Sequence, residues 1–360
     1  LKKIVTILGA RPQFVKAAVL SRVIQKYQDI EEVIVHTGQH FDQNMSDVFF
    51  EEMQIPKPKY NLDINSMSHG AMTGKMLADI EEVLMKEQPN AVVVYGDTNS
   101  TIAGALAAKK MHIKVVHVEA GLRSFNMKMP EEINRILTDR ISDLLSCPTE
   151  TALTNLEKEG FAHLDIQIER HGDIMKDAVV YYSKFSAEKS TIIQDQNLQK
   201  DNFVLATIHR QENTDALEKL TAIFSALDQI HEQIPVVLPL HPRTKKILEK
   251  HQINTKIITI DPVGYYSMLE LLKNCKMVIT DSGGLQKEAF FNQKHCIIAR
   301  EETEWIELVH EGFAKIVGSN ADQILSAFEE FGDSNHDFSA ELYGNDVGEK
   351  IYQSIKKLIQ

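Results

Sequence analysis

The chain is predicted to be an α/β protein built on two doubly wound parallel sheets. Short, continuously apolar runs recur at 4–8, 33–35, 91–94 and 114–118, separated by amphipathic patterns such as 72–86 and 101–111. The same rhythm restarts at 203–207 and continues at 235–240, 256–260, 277–280 and 296–298. Apolar strands alternating with amphipathic helices are the pattern of parallel sheets covered on both faces. At 360 residues the chain is too long for one ordinary core and suits two domains of roughly 150–200 residues each. The expectation is a Rossmann-like domain over 1–170 and a second over 171–344, with a final helix, 345–360, packing back on the first. A polar, less regular stretch at 183–201 falls between the two rhythms.

Composition narrows the function classes. Hydrophobic residues make up 43% and charged residues 25%, the balance of a globular rather than a disordered chain. No apolar run approaches the roughly 20 residues of a membrane span. The opening LKKIVTILGARP is apolar only over 4–8 and leads into Arg11, so it reads as a first strand and not as a targeting segment. A net charge of −12 excludes a broad nucleic-acid surface. It still permits a small anion held by local N–H groups and one or two cations. Cys147, Cys275 and Cys296 share no metal or redox spacing, which fits packing residues in a reducing cytoplasm.

Doubly wound sheets bind ligands in loops at the carboxyl ends of their strands, and the chemistry-bearing motifs fall in such loops. Gly9-Ala10-Arg11-Pro12 follows the first strand, with Pro12 suited to a helix start. Arg11 is either a solvated helix-start residue or a phosphate ligand, and Lys16 lies one turn further on. In the run GDTNST, residues 96–101, Asp97 either caps the next helix or presents a carboxylate to a cleft.

The run HVEAGLRSFNMKMPEEINR, residues 117–135, is more informative. Glu119 stands at the end of a strand, where an unpaired charge is costly. A mobile loop over 121–129 follows, and Pro130 begins a helix. Glu131 and Glu132 suit the positive end of the helix dipole, and Glu131 and Arg135 share one helical face at i,i+4 spacing. A strand-end carboxylate followed by a second acidic pair can perform acid/base work.

In the second half, His209 and Arg210 follow a strand, with Asn213 or Thr214 placed to cap a helix, and His241 ends the next strand. Neither histidine has zinc-ligand spacing, so no metal is expected. The run TDSGGLQKE, 280–288, places Ser282, Gly283 and Gly284 between a strand and a helix, where exposed N–H groups favour a diphosphate. Glu288 follows one turn on, within reach of ribose hydroxyls. Neither GxxxxGK[ST] nor GxGxxG occurs, which disfavours a P-loop hydrolase or an ordinary dinucleotide oxidoreductase.

Taken together, GARP, TGQH from Thr37, GDT, HVEAGLR, PEEINR, HR-x-E, TDSGG and a late Tyr343-Gly344 resemble the non-hydrolysing UDP-N-acetylglucosamine 2-epimerases over nearly the whole chain and in the family's order. The resemblance implies the glycosyltransferase-B architecture, two Rossmann-like domains facing across a cleft, and a cytoplasmic homodimer. It implies a UDP-sugar substrate interconverted at C2 without a redox cofactor, supplying polysaccharide such as capsule or lipopolysaccharide. Asp97, Glu119 and Glu131 match the family's catalytic carboxylates and His209 its catalytic histidine. Arg11, Ser282, Gly283, Gly284 and Glu288 match UDP-binding positions, and Lys16, Arg135 and His241 match positions that shape the site.

Departures from the family pattern bear on the substrate. Gln13 replaces an acid, and TERPE becomes Thr303-Glu304-Trp305-Ile306-Glu307. With SFNMKMPEEINR and DPVGY, this resembles the branch acting on UDP-2,3-diacetamido-2,3-dideoxy-glucuronic acid, although Trp305 reads equally as a packing residue. Phe41-Asp42 departs from the polar or basic pair often found there. Gln39 and His40 belong to the region where bacterial members bind an activating second UDP-GlcNAc. The rival readings are a hydrolysing 2-epimerase, a UDP-dependent glycosyltransferase and a UDP-sugar sensing module without turnover.

Overall fold

The strand–helix rhythm of the sequence resolves into two compact units, one of residues 1–178 and 341–360, the other of 179–340. The computed structural model describes residues 1–39, Phe50 and 54–360; the side chain of Arg11, and with it His40, Phe41 and Asp42, lie outside the described residues.

The first unit holds a seven-stranded sheet in the order β3-β2-β1-β4-β5-β6-β7. Its strands are β1 (Lys2–Leu8), β2 (Ile30–His36), β3 (Tyr60–Asn61), β4 (Ala91–Tyr95), β5 (Lys114–Val118), β6 (Leu144–Cys147) and β7 (Gln167–Arg170). All pairings are parallel, with β1 flanked by β2 and β4. Every residue of β4, AVVVY, is buried. Its β-branched side chains suit a pleated strand packed on both faces. Helices His69–Glu87 and Asn99–Lys110 supply Met76, Ile80, Ala103 and Ala107 to the core on one side.

The second unit holds six parallel strands in the order β10-β9-β8-β11-β12-β13. They are β8 (Val204–Thr207), β9 (Val236–Pro239), β10 (Ile258–Ile260), β11 (Met277–Thr280), β12 (Cys296–Ile298) and β13 (Ala314–Ile316). Helix Leu217–His231 buries Leu220, Ile223, Phe224, Leu227 and Ile230 against Val204, Val236 and Met277. Both units are thus doubly wound, the fold class expected.

Three local readings need correction. The stretch 183–201 is more regular than its polarity suggests, because helix Ile174–Lys189 runs through its first part and a short helix, Ile192–Asp195, follows. Asn213 and Thr214 are not caps, since both lie inside a short helix, Gln211–Thr214, that begins from Arg210. The division between units falls within helix Ile174–Lys189, eight residues beyond the expected 170.

The last helix, Val347–Leu358, belongs to the first unit and buries Ile351, Tyr352 and Ile355. Tyr352 stacks on Tyr27 of helix Arg11–Tyr27 with ring centroids 4.6 Å apart and planes at 7°. A β-carbon on Gly348 would lie 2.6 Å from Val19 Cγ1, so the helices meet at a glycine contact. Among the described residues no helix is long and apolar enough to cross a membrane. The three cysteines are buried and unbonded; burial pushes the Cys275 thiol up to about 12, so it is inert as a thiolate near neutrality.

Candidate active site

In a doubly wound sheet the binding crevice opens where strand order reverses. In the first unit that point lies between β1 and β4, and in the second between β8 and β11. The loops leaving these strands carry Gly9-Ala10, Gly96-Asp97, His209-Arg210 and Ser282-Gly283.

Asp97 follows β4. Thr98, not Asp97, caps helix Asn99–Lys110 by accepting from the Thr101 N–H, so the capping reading of Asp97 fails. Instead Arg135 donates to Asp97 Oδ2 through Nη2 at 2.7 Å and Nε at 3.0 Å. Asn134 Nδ2 donates to the Asp97 carbonyl at 2.9 Å. The Asp97 side chain remains 31% exposed, which leaves it reachable.

Glu119 ends β5 with φ of 74°, a left-handed backbone that costs a non-glycine residue about 1–3 kcal/mol and concentrates at functional sites. Its N–H and that of Ala120 both donate to the Ser146 carbonyl at 3.1 Å. Its carboxylate is paired with the Lys16 ammonium, which answers the cost of a strand-end charge. The pair lies over Gly96, where a β-carbon would stand 3.4 Å from Glu119 Oε2 and 3.5 Å from Lys16 Nζ. Lys16, Gly96, Asp97, Glu119 and Arg135 therefore form one cluster.

Glu131 and Glu132 part company. Glu132 is 1% exposed and accepts from Ser124 N at 3.0 Å, Phe125 N at 2.9 Å and Arg135 Nη1 at 2.7 Å. It latches the loop expected to be mobile, and is more than a helix-start acid. Arg135 takes Glu132 and Asp97 as partners rather than Glu131 at i,i+4. Glu131 is half-buried on the first turn of helix Pro130–Ile141, and among the described residues it joins none of these contacts.

Gln13, the replacement for an acid, is 1% exposed. Its Oε1 accepts from the N–H groups of Gly9 at 2.8 Å and Ala10 at 2.9 Å. Its Nε2 donates to the Tyr95 carbonyl at 2.7 Å. An ionised carboxylate could accept but not donate here, whereas the amide does both, so Gln13 ties the β1 loop to the β4 loop. Gly9 is required by crowding: a β-carbon would lie 2.0 Å from Ser100 Oγ.

In the second unit the organising residue is one that motif reading passed over. Asp281, 0% exposed, accepts from the N–H groups of His209 at 3.0 Å and Arg210 at 2.9 Å and from Asn213 Nδ2 at 3.1 Å. Its Oδ1 stands 3.3 Å from His209 Nδ1. The signal was present in the sequence as an aspartate directly after an apolar strand. His209 and His241 stack with ring centroids 5.6 Å apart. Burial lowers the His209 pKa from the ordinary histidine value, with Arg210 and His241 adding to the effect and Asp281 opposing it. Burial and then Arg243 lower His241 likewise, and His241 Nδ1 accepts from Arg243 N at 3.2 Å, capping helix Pro242–His251.

Ser282 precedes helix Gly283–Phe291. A β-carbon on Gly284 would meet nothing within 4 Å, whereas one on Gly283 would have Glu304 Oε2, Arg300 Nη1 and Arg210 Nη2 between 3.7 and 3.9 Å away. The turn is thus open on one side, with the Arg210 guanidinium close by and Arg300 paired to Glu304 at 3.0 Å, and its helix-start N–H groups suit an anion. Glu288 lies on the same helix, 8% exposed. Trp305 is 4% exposed, with Lys287 Nζ 3.8 Å from its ring centroid; it is a packing residue. Among the described residues no group of three histidine, cysteine or acidic side chains is placed to hold a metal ion.

Two doubly wound α/β units with ligand-binding loops at their switch points define the fold class, and comparison with known proteins gives the family. A family model described as UDP-N-acetylglucosamine 2-epimerase matches residues 22–356. The chain belongs to this family of isomerases. It is 50% identical over 99% of its length to a UDP-2,3-diacetamido-2,3-dideoxy-D-glucuronate 2-epimerase of Pseudomonas aeruginosa, all of which is covered. The Methanocaldococcus jannaschii UDP-GlcNAc 2-epimerase, solved with UDP-GlcNAc and UDP, superposes with a TM-score of 0.89 at 42% identity, covering 99% of each chain. The Neisseria meningitidis UDP-GlcNAc 2-epimerase bound to UDP-GlcNAc superposes with a TM-score of 0.88 at 29% identity, covering 99% of this chain and all of that one.

Proposed function

We propose that the protein epimerises C2 of a UDP-linked 2-acetamido sugar without net hydrolysis, and that its substrate is the 2,3-diacetamido glucuronate. The observation that carries the reaction is the carboxylate pair at the ends of two adjacent strands, Asp97 after β4 held by Arg135 and Glu119 after β5 held by Lys16. Full-length identity of 50% to the relative named for the uronate supports that substrate over UDP-GlcNAc.

The C2 proton of such a sugar is weakly acidic, because no carbonyl adjoins it. Breaking the anomeric C1–O bond solves this. The electron pair of that bond leaves on the β-phosphate oxygen of UDP, positive charge develops at C1, and a carboxylate takes the C2 proton as the C2–H electrons form the C1=C2 bond. The 2-acetamidoglycal is then protonated on its opposite face at C2 while the UDP oxygen returns to C1. Asp97, Glu119 and Glu131 serve as the proton-transfer carboxylates. His209, whose pKa is lowered by burial, is neutral near pH 7 and suits proton exchange with the leaving phosphate. The Ser282–Gly284 turn with Arg210 and Arg300 holds the diphosphate, and Glu288 the ribose.

Incubation with each UDP-sugar in deuterated water tests the reading. Deuterium entering C2 of the uronate, with no exchange in UDP-GlcNAc, is expected. Exchange in UDP-GlcNAc alone would overturn the substrate, and stoichiometric release of UDP with a free sugar would overturn the non-hydrolytic course.

A further inference from the structure

The turn carrying Asp97 is held in an unusual way. Three successive carbonyls, those of Tyr95, Gly96 and Asp97, are each taken by a side-chain donor from a different element. Gln13 Nε2 donates to Tyr95 O at 2.7 Å, His117 Nε2 lies 2.7 Å from Gly96 O, and Asn134 Nδ2 donates to Asp97 O at 2.9 Å. His117 differs from the other two because its second partner is a buried carboxylate.

His117 lies on β5, two residues before Glu119, and is 0% exposed. Its Nδ1 is 2.7 Å from Asp139 Oδ1. Burial pushes the Asp139 carboxyl up, but contact with His117 and Arg123 outweighs this and holds it below the ordinary carboxylate range. A carboxylate and a peptide carbonyl can only accept, so each ring nitrogen of His117 faces a buried acceptor. The other oxygen of Asp139 accepts from Gly121 N at 3.1 Å and Arg123 Nη1 at 2.7 Å. Arg123 Nη1 also donates to the Leu122 carbonyl at 2.7 Å. One chain of buried contacts therefore begins at the peptide joining Gly96 to Asp97 and ends on the backbone that follows Glu119.

We infer that His117, clamped by Asp139, is a positioning residue that sets the Asp97-bearing and Glu119-bearing loops in register with each other. This rests on the reading of Asp97 and Glu119 as proton-transfer groups. His117 itself touches neither the substrate nor a reacting atom. Its work is geometric, since the glycine at position 96, with φ of 63°, leaves that peptide free to rotate unless its carbonyl is held. Displacing a reacting group by about 1 Å lowers turnover about 100-fold, which sets the scale of the effect.

The test uses the full chain with the UDP-sugar that it turns over, and variants His117→Phe, His117→Gln and Asp139→Asn. Folding is followed by thermal melting, and kcat, KM and C2 deuterium exchange are measured on folded protein. His117→Phe is expected to lose about 100-fold in kcat with KM within about threefold. Gln retains an amide donor near the Nε2 position, so His117→Gln is expected to recover about tenfold of that loss. The double variant His117→Phe/Asp139→Asn is expected to be no slower than His117→Phe, as for two residues acting as one unit. Folded His117→Gln and Asp139→Asn that both keep wild-type kcat would overturn the inference and leave the proposed reaction standing. If His117→Phe fails to fold, these two variants decide the matter alone. Wild-type protein that exchanges no C2 proton in either UDP-sugar would overturn the proposed function and the positioning role with it.

Discussion

Arg135 grips Asp97 along one edge of its guanidinium, with Nη2 at 2.7 Å and Nε at 3.0 Å from the same oxygen, while Nη1 holds Glu132 at 2.7 Å. The arginine thus joins the carboxylate proposed to react to the latch of the 124–125 loop. A lysine has one point charge and cannot reproduce the fork. Arg135→Lys is expected to lower kcat about 10- to 100-fold, with a smaller change in the melting temperature. Steady-state rates beside a thermal melt check both.

Two neighbouring glutamates should respond oppositely. Glu132 is buried and accepts from Ser124, Phe125 and Arg135. Removing one partner of a buried charge pair costs about 3–5 kcal/mol, so Glu132→Gln should lower the melting temperature clearly. Glu131 is half-buried, and among the described residues it makes no ion pair. Glu131→Gln should melt like the wild type yet lose turnover, if its carboxylate meets the sugar. A loss of stability in Glu131→Gln with full activity would remove it from the proposed chemistry.

The acid limb of activity should lie low. Burial lowers the His209 pKa in the folded protein, against about 6.5 for an unperturbed histidine. With the folded value below the unfolded one, the unfolded chain binds more protons between them. Stability from this group is therefore complete above about 6.5 and is lost as pH falls toward the folded value. If neutral His209 is the working form, kcat/KM stays level down to about pH 6.5 and falls only below it. His209→Gln is expected to be slow at every pH and to lose less stability than the wild type below about pH 6.5. A wild-type acid limb centred above pH 7 would contradict this account.

Trp305 should act on stability alone. Its ring lies under the Lys287 ammonium at 3.8 Å and is 4% exposed. Trp305→Leu removes a cation–π contact worth about 0.5–2 kcal/mol and leaves a void. The ratio of turnover between the two UDP-sugars should stay within about twofold, because the side chain is packed in the protein. A reversal of that ratio in competition assays would restore Trp305 as a determinant of specificity.

The fold was legible because its signal is local. A run such as AVVVY is apolar at every position, and only a strand covered on both faces needs that. Strand-end motifs were legible for the same reason, and those after β1, β4, β8 and β11 fall at the two switch points. Partner choice was not. Glu119 and Lys16 are separated by 103 positions, and nothing local tells which cation answers a strand-end acid. The choice between Glu131 and Glu132 turns on a rotation of about 100° per residue along the helix, beyond what two adjacent acids reveal. Asp281 was overlooked because its partners are backbone N–H groups of another strand's loop, which carry no residue signature. The polar composition of 183–201 concealed the end of helix Ile174–Lys189, whose side chains there are largely solvated.

The stacking of Tyr352 on Tyr27 also has a consequence for the order of assembly. Residues 179–340 are contiguous, so the second unit has its whole sequence once residue 340 has left the ribosome. The first unit does not, because its opening helix stays uncovered along Val19 and Tyr27 until Gly348 and Tyr352 arrive. Chains under synthesis ordinarily complete domains from the amino end; here the half begun first is finished last. A fragment ending at residue 340 should fold its second unit and leave the first open to proteolysis near Tyr27.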